Sequence, residues 1–336
     1  MSFFKKLFGA QSSDKAESLP TSKEKVTNAS DATSDIEDNK EALRQADVLK
    51  FDAIRAIKIG EVKFAVNALR KSFELAPRFE TLYYLSEALL MDGEEEEGLQ
   101  AMNMLLEDQP NHTLTLIRKS TLLLQIGDIE EALGDADKAL KTTSEPDEQM
   151  IALLLKARAL YALKRAEEAV DILNKALRIE GENPYTALLL RAEYLNSIDR
   201  LEEAKSDLEQ IKNINEEEEK VPLMLADIAT KQEDMQRALD FYYTALELNP
   251  FNLEAHRGIA RTLIAMGKNA EAEEYIDNAI EENPEDYHLL KIAIDFYHKI
   301  DRDDKAKELS EKAENLSPEN GTSESVGKNL YQGGIY

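Results

Sequence analysis

IARTLIAMGKNAEAEEYIDNAIEENP, residues 259–284, carries the pattern that decides the fold. Ile259, Ala260 and Leu263 place apolar side chains at helical spacing. Gly267 interrupts the run, and a second periodic stretch with Ala272, Ile276 and Ala279 follows until Pro284. Glycine takes the left-handed conformation that ends a helix, and proline cannot donate into a continuing one. The stretch therefore predicts two helices joined by a tight turn. The second carries a small residue twelve positions before a proline.

Working outward, the same interval recurs at Ala65–Pro77, Gly98–Pro110, Ala238–Pro250 and Ala306–Pro318. The small anchor alone returns at Ala132, Ala169 and Ala204, so that successive anchors stand 33, 34, 37, 35, 34, 34 and 34 residues apart. A fixed period of this size predicts stacked repeats rather than one globular core. Gly60, Gly93 and Gly127 mark the same break as Gly267, and Asp128 with Glu131 has capping-box spacing. A small anchor lets two helix axes approach where a larger side chain would hold them apart.

At these residues the chain resembles the tetratricopeptide repeat family. The seventh copy, quoted above, matches best. The eighth keeps Tyr297, Ala306, Ala313 and Pro318, and the sixth keeps Ala226, Ala238, Tyr242, Ala245 and Pro250. The resemblance spans residues 46–320 and implies an all-α, right-handed superhelical solenoid of about eight helix-turn-helix repeats. Departures fall in the middle. The fourth and fifth copies use Pro184 and Pro222 at shifted places, and Lys119, Lys156 and Arg191 stand where the family usually places leucine.

Around the array, composition divides the chain into 1–8, a short basic amphipathic segment; 9–40, a polar stretch expected to be a disordered tether; 41–319, the repeats; and 320–336, a flexible tail. Of the net charge of −26, residues 1–45 contribute only −1. An acidic surface of this strength repels phosphate backbones, which argues against a nucleic-acid partner, and solvated Glu-rich helix faces keep it soluble. The absence of cysteine fits a reducing cytoplasm, and no stretch of 18 apolar residues is present to span a membrane.

Catalytic chemistry finds no foothold. His112, His256, His288 and His298 are too far apart in sequence for two imidazoles to share a helix face, and no glycine-rich phosphate loop occurs. His256 reads as a core or half-buried side chain. The runs Glu94–Glu97 and Glu216–Glu219 read as solvated or helix-starting acidic clusters. No catalytic residue, metal site or cofactor is expected.

What the resemblance implies instead is a concave groove lined by the first helices of successive repeats. Counting back from each anchor, it places Glu80, Tyr83, Glu87, Leu90 and Met91 there in repeat two. Repeat three supplies Leu114, Ile117, Thr121, Leu124 and Gln125, and repeat four Ile151, Leu154, Arg158, Tyr161 and Ala162. This groove is apolar enough to take a peptide or amphipathic helix of a protein partner. Repeats seven and eight offer Arg257, Arg261, Lys291, His288 and His298, suited to a carboxylate. A chaperone-type carboxylate clamp is not supported: Lys50 matches, but Ile54 stands where asparagine is expected.

Met1–Phe8 sets Phe3, Phe4, Leu7 and Phe8 on one helical face against Lys5 and Lys6. That character suits weak association with a membrane surface, or docking to a protein groove, its own included; chance apolar residues are the plain alternative. The reading is a non-catalytic cytoplasmic scaffold, with a peripheral membrane assembly factor as the alternative.

Overall fold

The computed structural model describes residues 29–316, with side chains from Lys40 onward. The described residues form sixteen α-helices and no strand, paired into eight hairpins. The first unit, Met1–Glu182, holds α1 (Ala29–Lys58), α2 (Val62–Leu75), α3 (Phe79–Met91), α4 (Glu95–Asp108), α5 (Thr113–Ile126), α6 (Ile129–Thr142), α7 (Pro146–Ala162) and α8 (Ala166–Ala176). The second, Asn183–Tyr336, holds α9 (Tyr185–Ser197), α10 (Leu201–Ile214), α11 (Lys220–Lys231), α12 (Met235–Leu248), α13 (Leu253–Ala265), α14 (Asn269–Glu282), α15 (Tyr287–Lys299) and α16 (Asp303–Leu316). Each unit contains four hairpins, and the chain forms the all-α helical-repeat solenoid that the period predicts.

The anchors behave as packing points. All eight lie in second helices and all are buried. At Gly98 the missing Cβ is replaced by a neighbour: a Cβ built there would stand 2.7 Å from Leu90 Cδ2. Cores made of Ala, Leu and Ile run through both units, with Phe73 and Leu85 in the first and Tyr242, Phe296 and Tyr297 in the second.

Every turn between paired helices contains one residue with positive φ. Glycine fills four of them (Gly60, Gly93, Gly127, Gly267), and Lys164, Asp199, Glu233 and Asp301 fill the rest at φ 56–63°. Side chains other than glycine's cost about 1–2 kcal/mol in that conformation. Packing imposes the turn where the residue does not favour it.

Three sequence expectations change. α1 begins at Ala29, inside the stretch read as a tether; no glycine or proline interrupts residues 29–58, so nothing stops the first repeat's helix from extending upstream. The capping box does not form: Asp128 precedes α6 without a side-chain hydrogen bond, and the Glu131 side chain goes to Lys119 at 2.5 Å instead of back to the cap. Finally, the charged residues in leucine positions find partners. Lys119 also meets buried Asp135 at 3.2 Å, Arg191 forks onto buried Asp207, and Lys156 reaches Asp137. Burial works against the charge of Lys119, but the carboxylates of Glu131 and Asp135 outweigh it and hold the ammonium above its usual range.

Candidate partner-binding surface

In the first unit, contacts link the first helices of successive repeats into a row. Lys50 on α1 donates to Glu80 on α3 at 2.7 Å. Tyr83 on α3 meets the ring of His112, next to α5, edge-on at 5.8 Å, and Glu87 faces Arg118 on α5 at 3.4 Å. Beyond them, α5 packs against α7.

The expected groove residues divide by burial. Met91 and Leu114 stand out at 48% and 44% exposure. Tyr83, Glu87, Leu90, Leu124, Ile151, Leu154, Arg158 and Tyr161 are half-buried. Two of the expected residues are engaged in local packing. Ile117 is buried in a core cluster with Leu116, with Ala136 and Ala139 of α6 and with Ala152 and Leu155 of α7. Leu90 leans over Gly98 on α4, taking up the space the anchor leaves open. Lys50, the residue that matches a clamp, is 6% exposed and bonded to Glu80.

Burial raises the Glu87 carboxyl above the usual glutamate range, with Arg118 offsetting only part of the effect. It also raises the Tyr83 phenol, helped by the Glu87 charge. His112, by contrast, is lowered by burial. It caps α5 by accepting from the Thr115 amide at 3.3 Å.

In the second unit the basic residues are differently placed. Arg257 is committed: its guanidinium forks onto buried Asp286, with nitrogen–oxygen distances of 2.7–3.1 Å. Arg261 and Lys291 are exposed, as are His288, Asp295, His298 and Lys299. His298 Nδ1 lies 2.8 Å from Asp303. His256 is buried, between the Tyr275 hydroxyl at 2.8 Å and the Pro250 carbonyl at 3.0 Å. Phe3, Phe4, Leu7 and Phe8, and the 320–336 tail, lie outside the described residues.

One surface feature has no counterpart in the sequence reading. A cleft in the second unit is lined by Leu208, Val221, Leu225, Ala229 and Phe241, with Lys205, Lys212 and Arg237 at its edge. Several of these residues sit on second helices, which the repeat pattern assigns to the outer face. Only the loss of a large side chain at position 229 would have hinted at it. Among the described residues, no group of three or more His, Cys, Asp or Glu side chains is arranged to hold a metal ion.

Family models for the tetratricopeptide repeat match residues 117–187 and 229–294, one in each unit but for a few residues at the junction. The chain carries tetratricopeptide repeats. Such repeats generally mediate protein–protein contacts and are generally non-catalytic, which supports a protein-interaction scaffold. Among solved structures, a tetratricopeptide repeat protein from Parabacteroides merdae aligns with a TM-score of 0.60 at 20% identity, over 74% of this chain and 95% of its own. PilW, a widely conserved type IV pilus biogenesis factor, gives 0.55 at 15% identity, over 62% of this chain and 96% of its own. PilF from Pseudomonas aeruginosa gives 0.53 at 18%, over 65% and 96%. At such identities the likeness concerns the fold. No curated protein matches the chain. Among the described residues, no tetratricopeptide helix is long and apolar enough to cross a membrane.

Proposed function

We propose that this scaffold binds an apolar peptide or amphipathic helix of a protein partner across the first helices of repeats two to four. The observation that carries the reading is the apolar side chains left solvent-accessible along α3, α5 and α7: Met91 and Leu114 openly, Leu124, Ile151 and Leu154 in part. Half-buried Tyr83 and Tyr161 flank them as amphipathic contacts. An amphipathic helix meets such a row with anchors one turn apart.

The test is quantitative affinity capture with the wild type beside Met91→Glu, Leu114→Glu and Leu154→Glu, with melting followed by circular dichroism. The expected outcome is one set of partners lost from all three variants at near-unchanged helicity. Retention by all three places binding elsewhere.

A second reading rests on the composition of Met1–Phe8, whose four apolar residues oppose Lys5 and Lys6. It makes the protein a peripheral membrane assembly factor. Flotation with anionic vesicles, with and without residues 1–9, distinguishes the two, since unchanged partitioning on deletion removes the membrane role.

A further inference from the structure

The first repeat departs from those stacked behind it on one face. Seventeen positions before the anchor, every repeat that follows another within its unit buries its residue: Thr81, Thr115, Ala152, Val221, Ala255 and Leu289. In the first repeat that residue is Val48, 58% exposed. Ten positions before the anchor the same six repeats again bury theirs, while the first repeat exposes Arg55. Both positions are the ones a preceding hairpin covers.

The residues on this uncovered face are chosen differently as well. Phe64, directly before the anchor Ala65, is 54% exposed at a position that is Glu, Lys or Arg in all seven other repeats. Phe51 and Ile59 add two more large apolar side chains at 58% and 77% exposure. Phe64, Ile59 and Ala56 line a shallow cleft whose rim is Asp52, Arg55 and Glu61. Replacing an otherwise invariably charged position by phenylalanine marks a surface meant to be covered.

We propose that Met1–Phe8 of the same chain covers this face. Phe3, Phe4, Leu7 and Phe8 then meet Val48, Phe51, Ile59 and Phe64, with Lys5 and Lys6 toward Asp52 and Glu61. The reach is sufficient. α1 rises about 45 Å between Ala29 and Ile59 at 1.5 Å per residue. Residues 9–28 span at most about 70 Å when extended. A tether of that length makes docking intramolecular, with an effective concentration on the order of millimolar. A second copy stacked head to tail offers the wrong chemistry: the solvent side of α16 presents Lys307, Glu308, Glu311 and Lys312. A net charge of −26 opposes self-association further.

The surface lies on the first repeat, apart from the groove of repeats two to four, so the two readings fail independently. Because the chain has no cysteine, the full-length protein takes spin labels at Ser2→Cys and Asn67→Cys without other changes. Pulsed dipolar spectroscopy is expected to give one narrow distance, independent of protein concentration. That distance should be lost in Phe64→Glu/Ile59→Glu and equally in Phe4→Asp/Leu7→Asp, whose substitutions lie outside the repeats. A broad distribution that neither pair alters overturns the proposal. So does a narrow distance seen between singly labelled chains, which assigns the face to a second copy. A narrow distance that forms only with phosphatidylglycerol vesicles overturns it too, in favour of the membrane.

Discussion

Both units join neighbouring first helices through a carboxylate and an arginine, and the two pairs behave oppositely. In the first, Glu87 lies 3.4 Å from Arg118, and its Oε1 is buried with no hydrogen bond. Burial prevails and its pKa rises. In the second, burial also pushes Asp286 upward, but the Arg257 fork and the amides of His288 and Leu289 overcome it, and its pKa falls. Proximity of opposite charges is thus not sufficient; hydrogen bonds aimed at the ionised form decide the sign. The second unit spends its arginine on internal order, whereas the first leaves a poorly satisfied carboxylate beside its apolar row.

The strongest way to break this comparison is Asp286→Ala. It strips the fork from Arg257 and the cap from α15 together, and is expected to lower stability by about 3–5 kcal/mol, read by urea denaturation. Next comes glycine replacement. A Cβ at Gly258 would stand 2.4 Å from the ring of Tyr242, which is tied to Asp227, so Gly258→Ala should cost about 1–3 kcal/mol. In the first unit Gly98→Ala meets only the tip of Leu90 and should be near neutral, because alanine's helix preference of about 1 kcal/mol offsets the shift.

Below the cost at Gly258 comes Glu233→Gly, which relieves a left-handed glutamate and should raise stability by up to about 1 kcal/mol. The same change made at Gly267 in reverse should destabilise by a similar amount.

The pH dependence sharpens the contrast most finely. With its folded pKa lowered, Asp286 contributes stability above its ordinary value of 3.8, and loses it as pH falls through the folded value. With its folded pKa raised, Glu87 contributes below 4.5 and loses that contribution as pH rises through the folded value. Asp286→Asn should therefore flatten the acid side of the stability profile. Glu87→Gln should flatten the decline just above pH 4.5, with an effect of about half a kcal/mol or less. Melting curves from pH 2.5 to 7 measure both.

The period, the small anchors and the glycine turns could be read directly, because each imposes a residue type at a fixed offset. What escaped were positions where the fold overrides the residue. Lys164, Asp199, Glu233 and Asp301 adopt the glycine conformation without announcing it. Lys119 and Arg191 looked like packing faults, and their resolution lies three residues past the anchors, in Asp135 and Asp207. In the candidate groove, spacing placed side chains on the correct helices but not their lean. Ile117 and Leu90 are drawn into local space that depends on neighbours, and that is not encoded in an offset.

The left-handed turn residue precedes its anchor by five positions in all eight repeats, from Gly60 and Ala65 to Asp301 and Ala306. The longer steps of 37 and 35 residues therefore arise entirely between one anchor and the following turn. Growth of the chain has been absorbed where one hairpin hands over to the next: as an extra first turn of α7, which at 17 residues is longer than the first helices on either side, and as the stretch after Ala176 that holds Gly181. An epitope or reporter spliced into those junctions should leave the array intact. The same insert at Gly267–Lys268 would unlock a hairpin, so the protein is extensible at its joints and inelastic within its parts.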